Sequence, residues 1–232
     1  MACIAITGTN TGIGKTYIAC GLVRALQELG YDTGVYKPFC SGGREDAELL
    51  LASSGSRESL EEINPCWFEE ALAPYQAARR AGREIDIEGC LAQYDILSQR
   101  HDIMIVEGAG GLLVPIASSA EGIYSIRDFF SDCAGRVLIV ASRALGSVNH
   151  TWLTVEGCRA AGLPILGIVC NDTEPVVEVE PHTGNIGLIE ECTGEAVLAH
   201  AGYNADPGIF MELAQKVLIQ IQPGKRGVQG AD

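Results

Sequence analysis

Lysine is scarce in this sequence: only Lys15, Lys37, Lys216 and Lys225 occur among 232 residues. With 16 Lys and Arg against 30 Asp and Glu, the formal net charge is −14. A field of that sign excludes nucleic acid and anionic membrane surfaces as natural partners, because both attract positive charge. No apolar run reaches the roughly 18 residues that cross a bilayer. The stretch Met1 to Ile6 has no basic group and leads straight into a glycine motif, so no signal peptide is expected. The nine cysteines are scattered and include no Cys-x-x-Cys pair. That pattern argues against a zinc site or a disulfide framework and for reduced thiols in or near the core. The expected compartment is the cytoplasm.

What is present is a globular core. Hydrophobic residues make up 47% of the chain and charged residues 20%, which excludes a disordered protein. Short apolar runs alternate with longer amphipathic stretches. Strands are expected at Cys3–Thr7, Thr33–Lys37, Ile103–Val106, Val137–Val140, Ile165–Cys170 and Ala196–Ala199. Helices are expected from Lys15 to near Leu29, then Asp46–Ala52, Ala71–Gly82, Ile87–Gln99, Thr151–Ala161, Gly184–Glu191 and Ile209–Ile221, with Ser53–Trp67 irregular. Continuous apolar strands separated by helices predict an α/β fold: a mainly parallel sheet of about seven strands, flanked by helices on both faces. No repeat or linker divides the chain. One domain is expected over residues 1–222, with a flexible tail over 223–232.

Gly8-Thr9-Asn10-Thr11-Gly12-Ile13-Gly14-Lys15-Thr16 lies between the first strand and the first helix. Glycines there let backbone N–H groups converge on phosphate oxygens, and the helix N-terminus adds partial positive charge. Lys15 is placed to neutralise the β- and γ-phosphates, and the Thr16 hydroxyl to ligate magnesium. The first glycine precedes Gly14 by one residue more than the common phosphate-loop spacing. The expected fold is therefore of the P-loop NTPase kind.

Magnesium on a triphosphate takes one or two further carboxylates. Glu107 ends the strand Ile103–Val106 and enters Gly108-Ala109-Gly110-Gly111, small residues that let a phosphate approach. Ligands of open parallel sheets bind at the carboxyl ends of the strands. Asp46 is a second candidate, although Arg44-Glu45-Asp46-Ala47-Glu48 also reads as an ordinary acidic first helical turn. Lys37 follows the second strand and precedes Pro38-Phe39-Cys40-Ser41-Gly42-Gly43. There it would face the same crevice and stabilise an anion.

Two later segments remain open. In Leu145-Gly146-Ser147-Val148-Asn149-His150, Ser147 or Asn149 could cap the next helix, or the exposed N–H groups could bind a carboxylate. The Asn171 amide, beside Asp172, could read a nucleotide base or form an Asx turn. His101, His182 and His200 stand alone and receive no role.

In this order, the motifs resemble the dethiobiotin synthetase family. The resemblance covers most of the chain and rests on six segments: Gly8–Thr16, Lys37–Gly42, Asp46-Ala47, Val106–Gly111, Leu145–His150 and Asn171-Asp172. It implies an ATP-dependent ligase of biotin synthesis that closes the ureido ring of 7,8-diaminononanoate with CO2. A carbamate and a carbamic-phosphoric anhydride are the implied intermediates. Implied catalytic residues are Lys15, Lys37 and Thr11. Implied nucleotide contacts are Gly12, Ile13, Gly14, Lys15, Thr16, Tyr17, Asp46, Glu107, Gly108, Ala109, Gly110, Asn171 and Asp172. Thr16, Asp46 and Glu107 would hold Mg2+. Ser41, Gly146, Ser147, Val148 and Asn149 would bind substrate, the last four from the neighbouring subunit of a homodimer.

Two positions depart from the family pattern. Gly12 stands where many members have glutamate, and Ala199-His200-Ala201-Gly202 replaces a Gly-x-Ile-Pro run beside the base. A partitioning-type ATPase switch is the competing expectation, but such loops carry a lysine near Asn10 and this chain has none there. An amidating synthase would need a glutaminase region, for which the chain has no length.

Overall fold

A computed structural model describes residues 2–120, 122–175 and 180–221, with the side chains of 180–184 left aside. The expected tail at 223–232 lies outside these residues, as do residues 176–179 of the acidic stretch 174–181. In chain order the elements are β1 (Ala2–Gly8), α1 (Lys15–Glu28), β2 (Thr33–Tyr36), β3 (Phe39–Ser41), α2 (Glu45–Ser54), α3 (Leu60–Ile63), β4 (Cys66–Phe68), α4 (Pro74–Arg80) and α5 (Ile87–Ser98). There follow β5 (Ile103–Gly111), β6 (Pro115–Ser119), β7 (Gly122–Ser125), α6 (Ile126–Asp132), β8 (Arg136–Ala141), α7 (Ser147–Ala160), β9 (Ile165–Asn171), α8 (Glu180–Thr193), β10 (Val197–Ala201) and α9 (Gly208–Ile221).

Strand alternation builds two cores. Ile4 and Ile6 of β1, with Ile103 and Ile105 of β5, face α1, α2 and α9. Cys3 and Ala5, with Met104 and Val106, face the layer that holds Phe129, Phe130, Val155 and Ile189. Successive strand side chains point to opposite faces, so apolar runs without polar gaps require cover on both. Phe39 meets Phe129 edge to face at 5.1 Å, and the buried Tyr36 hydroxyl donates to the Cys90 carbonyl at 2.8 Å. Eight of the nine cysteines are buried and Cys192 is half-buried.

The main sheet has six strands in the order β10-β9-β8-β1-β5-β2, and every pairing in it is parallel. Two further pairs, β3 with β4 and β6 with β7, stand apart. β1 leads into α1 on one face, whereas its neighbours β5 and β8 lead to α6 and α7 on the other. The crevice therefore opens at the carboxyl end of β1, where chain direction diverges.

Several boundaries differ from expectation. Ser53–Trp67 is not irregular throughout: Ser59 and Glu62 form a reciprocal capping box that starts α3. The helix expected from Ala71 begins at Pro74, because Pro is favoured in the first turn, where no N–H is needed. β5 runs on to Gly111, so Glu107 lies within the strand rather than at its end. α7 begins at Ser147, four residues before Thr151.

Candidate active site

Parallel pairing puts Ile6 of β1 opposite Glu107 of β5. The chain then leaves β1 at Gly8 and turns through Gly12 and Gly14, whose φ values are 71° and 86°. Those left-handed conformations suit glycine, and they aim the start of α1 back over the strand ends. Gly14 has a second constraint: a Cβ there would lie 2.2 Å from Asn171 Nδ2. α1 has no side-chain cap and no acidic residue in its first turn. Its first N–H groups and dipole are thus available to an anion.

Glu107 is fully buried. Its Oε1 accepts from the Thr16 hydroxyl at 2.9 Å and from Lys37 Nζ at 2.5 Å. Its Oε2 is buried without a hydrogen-bond partner among the described residues. Lys37 Nζ also lies 3.6 Å from Asp46 Oδ2. Burial alone would weaken the Lys37 ammonium, but Glu107, Cys40 and Asp46 outweigh it and push its pKa above the ordinary lysine value. Lys37 is therefore a fixed cation at neutral pH, suited to holding an anion rather than taking a proton. Lys15 goes the other way: burial lowers its pKa, Glu107 opposes that, and Lys37 adds to it.

These groups border two hollows that share Gly12, Lys15 and Asp46 in their walls. One, of about 380 Å³, is lined by Thr11, Gly12, Lys15, Lys37, Ser41, Asp46, Ala109 and Gly110, with Leu72 and Pro74 on the far wall. The other, of about 480 Å³, runs past Gly14, Thr16 and Tyr17 towards Arg24 and Leu49. Tyr17 stacks edge-on against Phe210 at 5.3 Å. The Ser41 hydroxyl donates to the Leu72 carbonyl at 2.5 Å, and the Thr11 N–H donates to Asn10 Oδ1 at 2.8 Å. Gly108 abuts Ile126 and Phe130, where a Cβ would lie 2.8 Å from Ile126 Cγ2.

Among the described residues no three His, Cys, Asp or Glu side chains converge as a closed metal cage. The donor set is instead two carboxylates and a hydroxyl, with an unsatisfied carboxylate oxygen buried among them. That partial shell fits magnesium, which keeps several waters and completes its octahedron with phosphate oxygens.

Other predicted residues lie elsewhere. Gly146 caps α7 at φ 88°, and no side chain caps that helix. Ser147 and Asn149 are therefore not its caps, contrary to the simpler expectation. The Ser147 hydroxyl is buried without a partner among the described residues. None of residues 146–149 lines either hollow. Asn171 donates to the Ile13 carbonyl at 2.9 Å, and its Oδ1 is buried without a partner. This is a tie to the phosphate loop rather than an Asx turn. Beside it, Arg143 and His200 engage both oxygens of Asp172. Burial would raise the Asp172 carboxyl, but the bonds from Arg143 and His200 hold it below the usual carboxylate range. Arg143 had no sequence signal, being one arginine between a strand and a glycine turn. His200 stood alone in sequence because its partner, Asp172, follows a different strand.

The AAA domain family matches residues 3–207. The ATP-dependent dethiobiotin synthetase BioD of Bacillus licheniformis is 38% identical over 198 residues, covering 83% of this chain and 82% of that one. Its counterpart from Anaeromyxobacter dehalogenans is 46% identical over 178 residues, covering 73% and 76%. This chain belongs to the dethiobiotin synthetase family. A counterpart from Aquifex aeolicus is 40% identical over 192 residues and covers 82% and 84%. The fold is shared more widely. The cell division ATPase MinD of Pyrococcus furiosus superposes with a TM-score of 0.59 at 17% identity, covering 94% of this chain and 98% of that one. At that identity the likeness shows the P-loop NTPase-like architecture alone. The partitioning-type switch is not favoured beside the dethiobiotin synthetase relatives.

Proposed function

We propose that this chain closes the ureido ring of 7,8-diaminononanoate with CO2, consuming ATP and releasing dethiobiotin, ADP and phosphate. The observation that carries this reading is the pair of buried lysines, Lys15 and Lys37, set with Glu107 and Asp46 beside a phosphate loop and a small-residue cavity. One substrate amine adds to CO2 and loses a proton, giving a carbamate. A carbamate oxygen attacks the γ-phosphorus and the bond to ADP breaks. The second amine then attacks the carbonyl carbon, expels phosphate and closes the ring.

Each step gathers or moves negative charge, so fixed cations and aligned donors suffice and a strong general base is not required. Lys37 holds the carbamate and Lys15 the transferring phosphoryl oxygens. Thr11 and Ser41 donate to the carbamate or orient the amines. The backbone from Gly12 to Tyr17, with Gly108–Gly110, cradles the phosphates, and Asn171 lies towards the base. Thr16, Asp46 and Glu107 would hold magnesium, which when bound neutralises phosphate charge. Gly146, Ser147, Val148 and Asn149 bind the substrate carboxylate in the site of a second subunit. Their absence from the lining of this chain's two hollows supports that arrangement, as do exposed Leu145, Trp152 and Leu153 near them in sequence. The enzyme works in the cytoplasm on small molecules, and among the described residues no helix is long and apolar enough to cross a membrane.

Carbon-13 bicarbonate tests the ring closure. One labelled carbon should enter each dethiobiotin molecule, and an unlabelled product would overturn the carbamate route.

A further inference from the structure

A buried charge cluster joins three strand ends beyond the reaction site. Arg143 follows β8, Asp172 directly follows β9 and His200 lies on β10. Arg143 Nε donates to both Asp172 oxygens at 3.0 Å, and Nη2 approaches Oδ2 at 2.9 Å. His200 Nε2 lies 2.9 Å from the same Oδ2. The Asp172 side chain is 4% exposed and that of Arg143 is 9% exposed. A buried ion pair adds little net stability over apolar side chains of similar volume, because desolvation cancels most of the attraction. What a guanidinium fork on a carboxylate does fix is orientation.

Two segments depend on that orientation. On one side Asn171, next to Asp172, donates to the Ile13 carbonyl and fills the space a Cβ at Gly14 would take. Asp172 is thus one residue from the side chain that touches the phosphate loop. On the other side Arg143 enters the turn at Gly146. Its carbonyl accepts from Asn185 of α8 at 2.8 Å, and the Ala144 carbonyl accepts from the Ser147 N–H at 3.0 Å. Gly146 then caps α7.

We propose that Arg143 and Asp172 are positioning residues that link the phosphate-loop wall to the turn at 144–147, so that nucleotide binding orders the N-terminus of α7. The link rests on the nucleotide reading of the site and deepens it, because α7 is the element assigned to the substrate carboxylate. His200 steadies the shared carboxylate from the edge strand.

Hydrogen–deuterium exchange on the full chain, with and without magnesium and ADP, reads the link without requiring turnover. In the wild type, ADP should slow exchange in residues 8–17 and in residues 143–150. In the double variant Arg143→Met with Asp172→Leu, the slowing at 8–17 should persist and that at 143–150 should vanish. A segment 143–150 indifferent to ADP in the wild type, or a response that survives in the double variant, would overturn the link. No response at 8–17 in the wild type would remove the nucleotide reading and the link together. Should the double variant fail to fold, Arg143→Lys keeps the charge without the fork, and its response at 143–150 should fall about threefold or more. An unchanged response there would also overturn the link. Failure to form dethiobiotin leaves this readout untouched, so the two claims fail separately.

Discussion

At Glu107 two demands meet in one side chain. Its Oε1 serves Thr16 and Lys37, while its Oε2 is buried without a protein partner among the described residues. An unpaired buried polar atom costs about 1–3 kcal/mol, more for a charged group, and a bound cation would relieve it. Glu107→Gln should therefore raise the magnesium concentration needed for half-maximal rate by about tenfold or more; an unchanged magnesium titration removes Glu107 from the ligand set. Lys37→Ala should lower turnover by roughly a hundredfold or more, the scale of losing one fixed group at a developing charge. It should also lower the thermal midpoint, because Glu107 would remain buried with its main counter-ion gone. Near-normal turnover would take Lys37 out of the mechanism. Asp172 supplies a pH test. Its folded pKa lies below its unfolded value, so its contribution to stability is present at neutral pH. That contribution is lost as pH falls below the ordinary carboxylate range. Acid unfolding followed by circular dichroism should show a shallower acid limb in Asp172→Asn than in the wild type; parallel limbs would refute the assignment.

Among the elements, those with a strong period were legible from sequence. The six main strands are continuous apolar runs, and α1, α5 and α9 carry enough turns to declare themselves. β3 and β4 have three residues each, too few to show any alternation. β6 and β7 form a hairpin of five and four residues rich in small side chains, too short for its pattern to read as strand. The start of α7 was hidden for another reason: Gly146 rather than a polar side chain caps it, and Ser147 is buried. The phosphate loop was legible because a glycine turn, a lysine and a threonine between a strand and a helix are jointly required by phosphate. The need for Gly14 to clear Asn171 was not, since those residues are 157 positions apart. Gly14→Ala should cost about 1–3 kcal/mol from its left-handed backbone alone, and the contact with Asn171 adds to that. Denaturant unfolding and nucleotide titration on one preparation should show both stability and affinity reduced; loss of neither would refute the close contact.

For the whole molecule, sheet order explains why distant segments serve one chemistry. β1 sits between β5 and β8, so the phosphate loop, Glu107 and the approach to α7 all rise from neighbouring strand ends. The segment 146–149 stays outside the hollows, and Leu145 is 93% exposed, Leu153 64% and Trp152 46%. An apolar patch of this kind on an acidic protein fits a covered surface. With a second copy there, each site would combine Lys15 of one chain with Asn149 of the other. Mixing Lys15→Ala chains with Asn149→Ala chains should then restore activity up to about a quarter of wild type, since random pairing makes half the dimers mixed, each with one intact site. No recovery in confirmed mixed dimers would contradict shared sites. Sequence alone could not place this patch, because exposure depends on which helix faces the second core layer.

The most direct test is phosphate release and dethiobiotin formation, measured together by mass spectrometry with bicarbonate, magnesium and ATP, with and without diaminononanoate. The account predicts one phosphate per dethiobiotin, and phosphate release that depends on diaminononanoate. Slow ATP hydrolysis indifferent to diaminononanoate, with no dethiobiotin formed, would contradict it.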